Sequence, residues 1–240
     1  MRKILQAWVL VVGLCVASIG AEPVRTEAGA ITPEPYPRHF RRHADFLAKI
    51  SELHGDFDLL LIGDSITDHW PRIGASSYAM LTQWKPLNLG ISGESTGLVL
   101  WRLQNGELDG IHPKVTMIMV GTNNLGHFGQ EKPEWVAAGV RKIIELVQAK
   151  IPNTKILLLS IFPRSEKVTD PIRKRVDATN VLLAQLGDGK NVTYLDIGKK
   201  FLDAGGVLSK DIMPDLLHPN EKGYQIWLDS VKPVIENLMR

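Results

Sequence analysis

A chain of 240 residues with 44% hydrophobic and 22% charged side chains is too apolar to stay disordered. It is also long enough to close a core without metal or disulfide. Its 28 basic and 26 acidic residues leave a formal charge of +2, no electrostatic footprint for nucleic acid or an acidic polymer, and its one cysteine excludes a disulfide framework, a cysteine zinc site and a CxxC pair.

Met1-Arg2-Lys3 is a short basic start, and Ile4 to Ile19 is an apolar run broken by Gln6, Gly13 and Ser18. Small residues follow at Ser18, Gly20 and Ala21, before Glu22-Pro23 turns the chain polar. These are the three parts of a secretory signal peptide, expected over residues 1–21, and the run is short for a membrane span. An uncleaved N-terminal anchor is the alternative. Removal of the segment takes Arg2, Lys3 and Cys15 and leaves basic and acidic residues balanced. The expected location is secreted or periplasmic, with no membrane span in the mature form. Pro23, Pro33, Pro35 and Pro37 then mark residues 22–39 as a linker or a strap over the surface.

Residues 40–240 read as one domain. Apolar runs at Asp58 to Gly63, Leu87 to Ile91, Val115 to Val120, Ile156 to Ile161 and Val192 to Ile197 have the pattern of strands covered on both faces. Between them lie helical stripes. Trp135, Val136, Val140, Ile143, Ile144 and Val147 form one, Val176, Leu182, Leu183 and Leu186 another, and Tyr224, Ile226, Trp227, Val231, Ile235 and Leu238 a third. Five buried strands alternating with helices predict an α/β fold, a three-layer α/β/α sandwich on a five-stranded parallel sheet. Ligands of such sheets bind at the carboxyl ends of the strands.

Four segments at or near those ends carry chemistry. Gly63-Asp64-Ser65 puts a serine directly after a buried strand, although Asp64 or Ser65 also suits an N-cap. Thr67 replaces the second glycine of a G-x-S-x-G elbow. Asn88 to Thr96 holds Gly90 and Gly93, which let backbone N–H groups approach a ligand or simply form a turn. Gly121-Thr122-Asn123-Asn124 offers a side-chain amide to a developing oxyanion, or else an ordinary turn. Asp215 and His218, three apart, fall on one side of a helical turn, where the carboxylate reaches one imidazole nitrogen. Pro219 follows and suits a loop before the last helix.

In order and spacing, Gly63-Asp64-Ser65, Gly93, Gly121 to Asn124 and Asp215-x-x-His218 resemble the four motif blocks of the SGNH, or GDSL, hydrolases. The likeness is nearest to the platelet-activating-factor acetylhydrolase catalytic subunits, which share a counterpart of Leu98 to Leu108 and of Pro163-Arg164. The resemblance implies a flavodoxin-like fold, no metal and no cofactor. It makes Ser65 the nucleophile, His218 the general base and acid, and Asp215 the residue that orients His218. The implied oxyanion hole is the N–H of Ser65, the N–H of Gly93 and the side chain of Asn123. Asn124 stands where the commoner family form has Asp, and the acetylhydrolase-like subgroup also has Asn there. Those subunits pair, which leaves a homodimer open, and nothing in the sequence marks a dimer face.

Other residues carry less. His39 and His43 have a spacing that metals use, but Arg41 and Arg42 between them favour a solvated helix start. His69 and Trp70 suit either an acyl pocket or packing, and Trp101-Arg102 reads as packing. His127 follows the Asn123 loop, with substrate contact the less favoured of its readings. Asn191-Val192-Thr193 is a glycosylation sequon at the start of a strand. The expected substrate is a small acyl ester on a carbohydrate or lipid, with a noncatalytic ligand-binding module of the same fold as the alternative reading. Export, and the lack of a long apolar insertion between Ser65 and His218, favour acetyl groups on carbohydrate.

Overall fold

The apolar runs form five strands in the computed structural model, which describes residues 27–126 and 131–240. They are β1 (Leu59–Gly63), β2 (Pro86–Gly90), β3 (Val115–Met119), β4 (Lys155–Leu159) and β5 (Val192–Leu195). All neighbours pair in parallel, in the order β2-β1-β3-β4-β5. Val120, Ile161 and Ile197, expected at strand ends, lie just past them and are buried in the loops that follow. The signal-peptide segment, the start of the expected strap and His127 lie outside the described residues.

Nine α-helices lie among the described residues: α1 (Glu27–Ile31), α2 (Phe40–Leu53), α3 (Ser65–Ile73), α4 (Ala75–Ala79), α5 (Thr96–Arg102), α6 (Thr122–Gly126), α7 (Pro133–Lys150), α8 (Pro171–Ala184) and α9 (Glu221–Leu238). The period of two along each strand decides which core a side chain enters. Leu60 and Ile62 of β1, with Leu158 of β4, face a core closed by Phe46, Val99, Val140 and Val176 from α2, α5, α7 and α8. Leu59 and Leu61, with Leu157 and Leu159, face the opposite core under Trp70 of α3 and Trp227 of α9. Helices on both faces explain why the strands read as continuous apolar runs.

From residue 27 the expected strap is tucked against the sandwich. Ala30 is buried, its carbonyl accepts from Thr96 Oγ1 at 2.8 Å, and the Glu34 N–H donates to the Gly97 carbonyl at 3.1 Å. The chain runs from β1 outward to β2 and returns to place β3 on the other side of β1. That reversal opens a crevice at the carboxyl ends of β1, β2 and β3, the topological switch point.

Candidate functional site

Ser65, Gly93 and Asn123 leave those three strand ends. Gly63 is in register with Gly90 on β2 and with Met119 on β3, so the segments that follow start side by side. Asp64 caps α3, its Oδ1 accepting from the Ile66 N–H at 3.0 Å, and Ser65 is the first helical residue. A first-turn N–H has no partner within its own helix. The capping reading of Gly63-Asp64-Ser65 holds for Asp64, and the cap leaves Ser65 at the carboxyl end of β1.

Gly93 has φ +86, a left-handed conformation that a side chain would strain, and it turns the chain at the crevice. Asn123 lies on α6, and its Nδ2 donates to the Glu94 carbonyl at 2.9 Å. The amide has two hydrogens, so one is left for another acceptor. Asn124 is fully buried and pins α6 to α5. Its Oδ1 accepts from the Thr96 N–H at 3.1 Å, and its Nδ2 donates to Thr96 Oγ1 and Glu131 Oε2.

Asp215 and His218 come from the loop before α9. Ser65 Oγ stands 2.9 Å from His218 Nε2, and His218 Nδ1 stands 2.6 Å from Asp215 Oδ2. The carboxylate assigns the tautomer: Nδ1–H donates to Asp215, and Nε2 accepts from the serine hydroxyl. Residues separated by 153 positions in the chain thus join in one hydrogen-bonded series. The local geometry corrects the expected helical turn. Asp215 Oδ1 accepts from the N–H groups of Leu217 and His218, at 3.0 and 2.7 Å, while Leu216 adopts φ +60. An Asx-type turn, not a helix, brings the pair together.

Partial burial raises the Asp215 carboxyl. The His218 side chain and the N–H groups of His218 and Leu217 outweigh it and hold the group below the usual carboxylate range. Asp215 therefore stays ionised beside the imidazole.

His69 and Trp70 lie in different surroundings. Trp70 is core, stacked on Trp227 with ring centres 4.0 Å apart and donating Nε1–H to Ser77 Oγ. The His69 ring lies 5.1 Å from that of His218, and the two line a cavity of about 310 Å³ with Ile73, Pro214 and Pro219. Ser92 Oγ donates to Asp68 Oδ2 at 2.7 Å and so accepts from His69 Nε2 at 3.1 Å. Burial, and then the neighbouring His218, lower the His69 pKa from its ordinary value.

The expected solvated helix start holds for Arg41 and Arg42, which are exposed, but the two histidines turn inward to carboxylates. His43 is buried, with Nδ1 2.8 Å from Glu107 Oε1, and His39 Nδ1 lies 3.3 Å from Glu94 Oε1. Between those carboxylates sits Arg102, wholly buried, bonded to Glu94 at 2.7 Å, to Glu107, and to the Gly63 carbonyl at 3.4 Å. Burial disfavours its charge, but the two carboxylates more than offset this and raise its pKa further. Arg102 and Glu94 are thus tied to the backbone just before Ser65 and just after Gly93. Packing periodicity gave no sign of this, because a buried arginine is legible only with its distant partners. Among the described residues, no three of His, Cys, Asp and Glu are arranged to hold a metal ion, and no helix is long and apolar enough to cross a membrane.

The sequence profile of the GDSL-like lipase/acylhydrolase family matches residues 61–226. The human platelet-activating factor acetylhydrolase IB subunit alpha2 is 36% identical over 190 residues, 76% of either chain. The bovine alpha1 subunit is 35% identical over 170 residues, 70% of either chain. Two solved structures share the fold at lower identity. A GDSL-like lipase from Bacteroides thetaiotaomicron has TM-score 0.70 at 18% identity, covering 82% of this chain and 98% of its own. Axe2, an acetylxylan esterase from Geobacillus stearothermophilus, has TM-score 0.59 at 19% identity, covering 78% and 95%. A serine, an imidazole and a carboxylate in series at the sheet's switch point, on a chain matched by that profile over most of its length, make this protein a carboxylic ester hydrolase of the GDSL-like lipase/acylhydrolase family.

Proposed function

We propose that the protein is a serine esterase that removes small acyl groups, acetyl above all, through an acyl-serine intermediate. The observation that carries this is the series Ser65 Oγ, His218 Nε2, His218 Nδ1, Asp215 Oδ2, with steps of 2.9 and 2.6 Å on either side of the ring. A serine hydroxyl is a weak nucleophile until a base takes its proton. His218 Nε2 takes it as Oγ bonds to the carbonyl carbon, and Asp215 stabilises the imidazolium that forms. The imidazolium then protonates the leaving oxygen as the ester C–O bond breaks. Water, deprotonated by His218, next attacks the acyl-serine and releases the acid and the free hydroxyl. Negative charge on the carbonyl oxygen is met by the N–H of Ser65, the N–H of Gly93 and the remaining N–H of Asn123.

Acetyl is supported by the names of relatives on both sides, an acetylhydrolase and an acetylxylan esterase. The cavity of about 310 Å³ beside His218 has Ile73, Pro214 and Pro219 as an apolar wall. We place the acetyl group on carbohydrate outside the cytosol, in keeping with the export pattern of residues 1–21. The relatives' name favours a second reading, acetyl on a phospholipid. Acetate release from acetylated xylan, set against release from a short-chain acetyl phospholipid, separates the two, and inactivity on both rejects both.

Ser65→Ala and His218→Ala should each abolish turnover of a nitrophenyl acetate while the folded state persists by circular dichroism. Undiminished hydrolysis by purified Ser65→Ala protein overturns the assignment.

A further inference from the structure

Arg164 sits in the loop after β4, in the dipeptide Pro163-Arg164, and plays no part in the chemistry above. Its Nη1 donates to the Thr122 carbonyl at 2.9 Å and approaches Thr122 Oγ1 at 3.3 Å. Thr122 is the residue before Asn123. The guanidinium also fills the space where a side chain at 126 would begin: a Cβ on Gly126 would stand 2.2 Å from Nη1. Arg164 thus grips both ends of the five-residue helix that carries Asn123.

The grip is itself anchored. Arg173, buried on α8, donates Nε–H to the Arg164 carbonyl at 3.1 Å and Nη2–H to the Ser165 carbonyl. Arg175 donates to the Leu125 carbonyl at 3.2 Å from the same side. The Ser165 N–H donates to the Leu216 carbonyl at 2.9 Å, inside the turn that joins Asp215 to His218. One short segment therefore ties the Asn123 helix to the acid–base turn, and a helix as short as α6 has little stiffness of its own.

We propose that Arg164 is the positioning residue of the oxyanion site: it sets where the Asn123 amide stands, and acts on the reaction only through that amide. The proposal rests on the esterase reading above. A second mechanism is open to a cation here, because Arg164 is within electrostatic reach of the carboxylates of Asp64 and Asp215. Its charge could act on the acid–base pair directly.

A double-mutant cycle on nitrophenyl acetate separates the two. Asn123→Ala should lower kcat by about 10²–10³, as loss of one oxyanion donor does. Arg164→Ala alone should lower kcat roughly 10- to 100-fold, the scale of a donor misplaced by about 1 Å, with KM and the pH–rate profile unmoved. In the Asn123→Ala background the same change should cost less than about 2-fold. Gly126→Ala provides a second probe that keeps the charge, since its methyl displaces the end of a flexible side chain. It should mimic Arg164→Ala in wild type and add nothing to Asn123→Ala. Arg164→Lys should recover part of the loss. Costs that multiply in the double variant, or a shifted pH profile, overturn the proposal in favour of charge or general damage. A negligible effect of Asn123→Ala overturns it from below, by rejecting the oxyanion reading itself.

Discussion

Asp64 caps α3 and stands beside Ser65. Burial pushes its carboxyl up to about 7, against the Ile66 N–H, which favours the charge; Glu94 adds to the rise and Arg164 opposes it. The folded value lies above the unfolded one near 3.8, so between them the folded chain keeps a proton that the unfolded chain has lost. Stability from this group is therefore present at low pH and lost as pH rises through 7. Asp64→Asn keeps the cap acceptor but cannot ionise. Against wild type, the variant should gain about 2–3 kcal/mol of unfolding free energy between pH 5 and pH 8, measured by urea unfolding. Parallel curves for the two proteins would show that Asp64 does not titrate in this range. Asp215 makes the opposite case, a carboxylate held charged by its partners. Asp215→Asn should lower kcat by about 10⁴ without unfolding the protein, because an amide donor at that place disfavours the Nδ1–H tautomer.

The elements that matter most are short, and each is held by something remote in sequence. α5 is clamped on one side by Asn124 and on the other by residues 29–34, which lie across it. Gly97 is where the strap passes closest. A Cβ there would stand 2.4 Å from the Gly29 carbonyl and 2.9 Å from that of Thr32, both of them backbone atoms that cannot swing aside. Gly97→Ala should cost about 1–3 kcal/mol of stability by forcing the strap off α5. An unchanged urea midpoint would mean that the strap contributes nothing to the folded state. The turn before α9 shows a related economy. Leu216 accepts a left-handed φ, held by its N–H to the Met213 carbonyl and by Ser165, so that two N–H groups converge on Asp215.

At the scale of the whole molecule, the sheet order brings three strand ends and one distant loop to a single crevice. The strands were legible because helices cover both faces, so apolar runs such as Leu59 to Ile62 carry no polar alternation. Ser65, Asp215 and His218 were legible through the order and spacing of the four motif blocks taken together, whereas each motif alone reads as a cap, a turn or a surface pair. Their local backbone was not, because spacing alone does not separate a helical turn from an Asx turn. His43 was misread for a plainer reason. Its partner Glu107 lies 64 residues away, and no pattern near His43 records it. Arg102 was hidden likewise, since local periodicity treats any inward position as apolar.

The proposed hydrolysis requires that the His218 imidazole activate Ser65 and no other serine. The direct measurement is labelling with a fluorophosphonate, followed by mass spectrometry of the digested protein. A single adduct on Ser65 is predicted in wild type, absent in Ser65→Ala and slowed by orders of magnitude in His218→Ala. Rapid labelling that survives His218→Ala, or an adduct on another residue while Ser65 stays free, would contradict it.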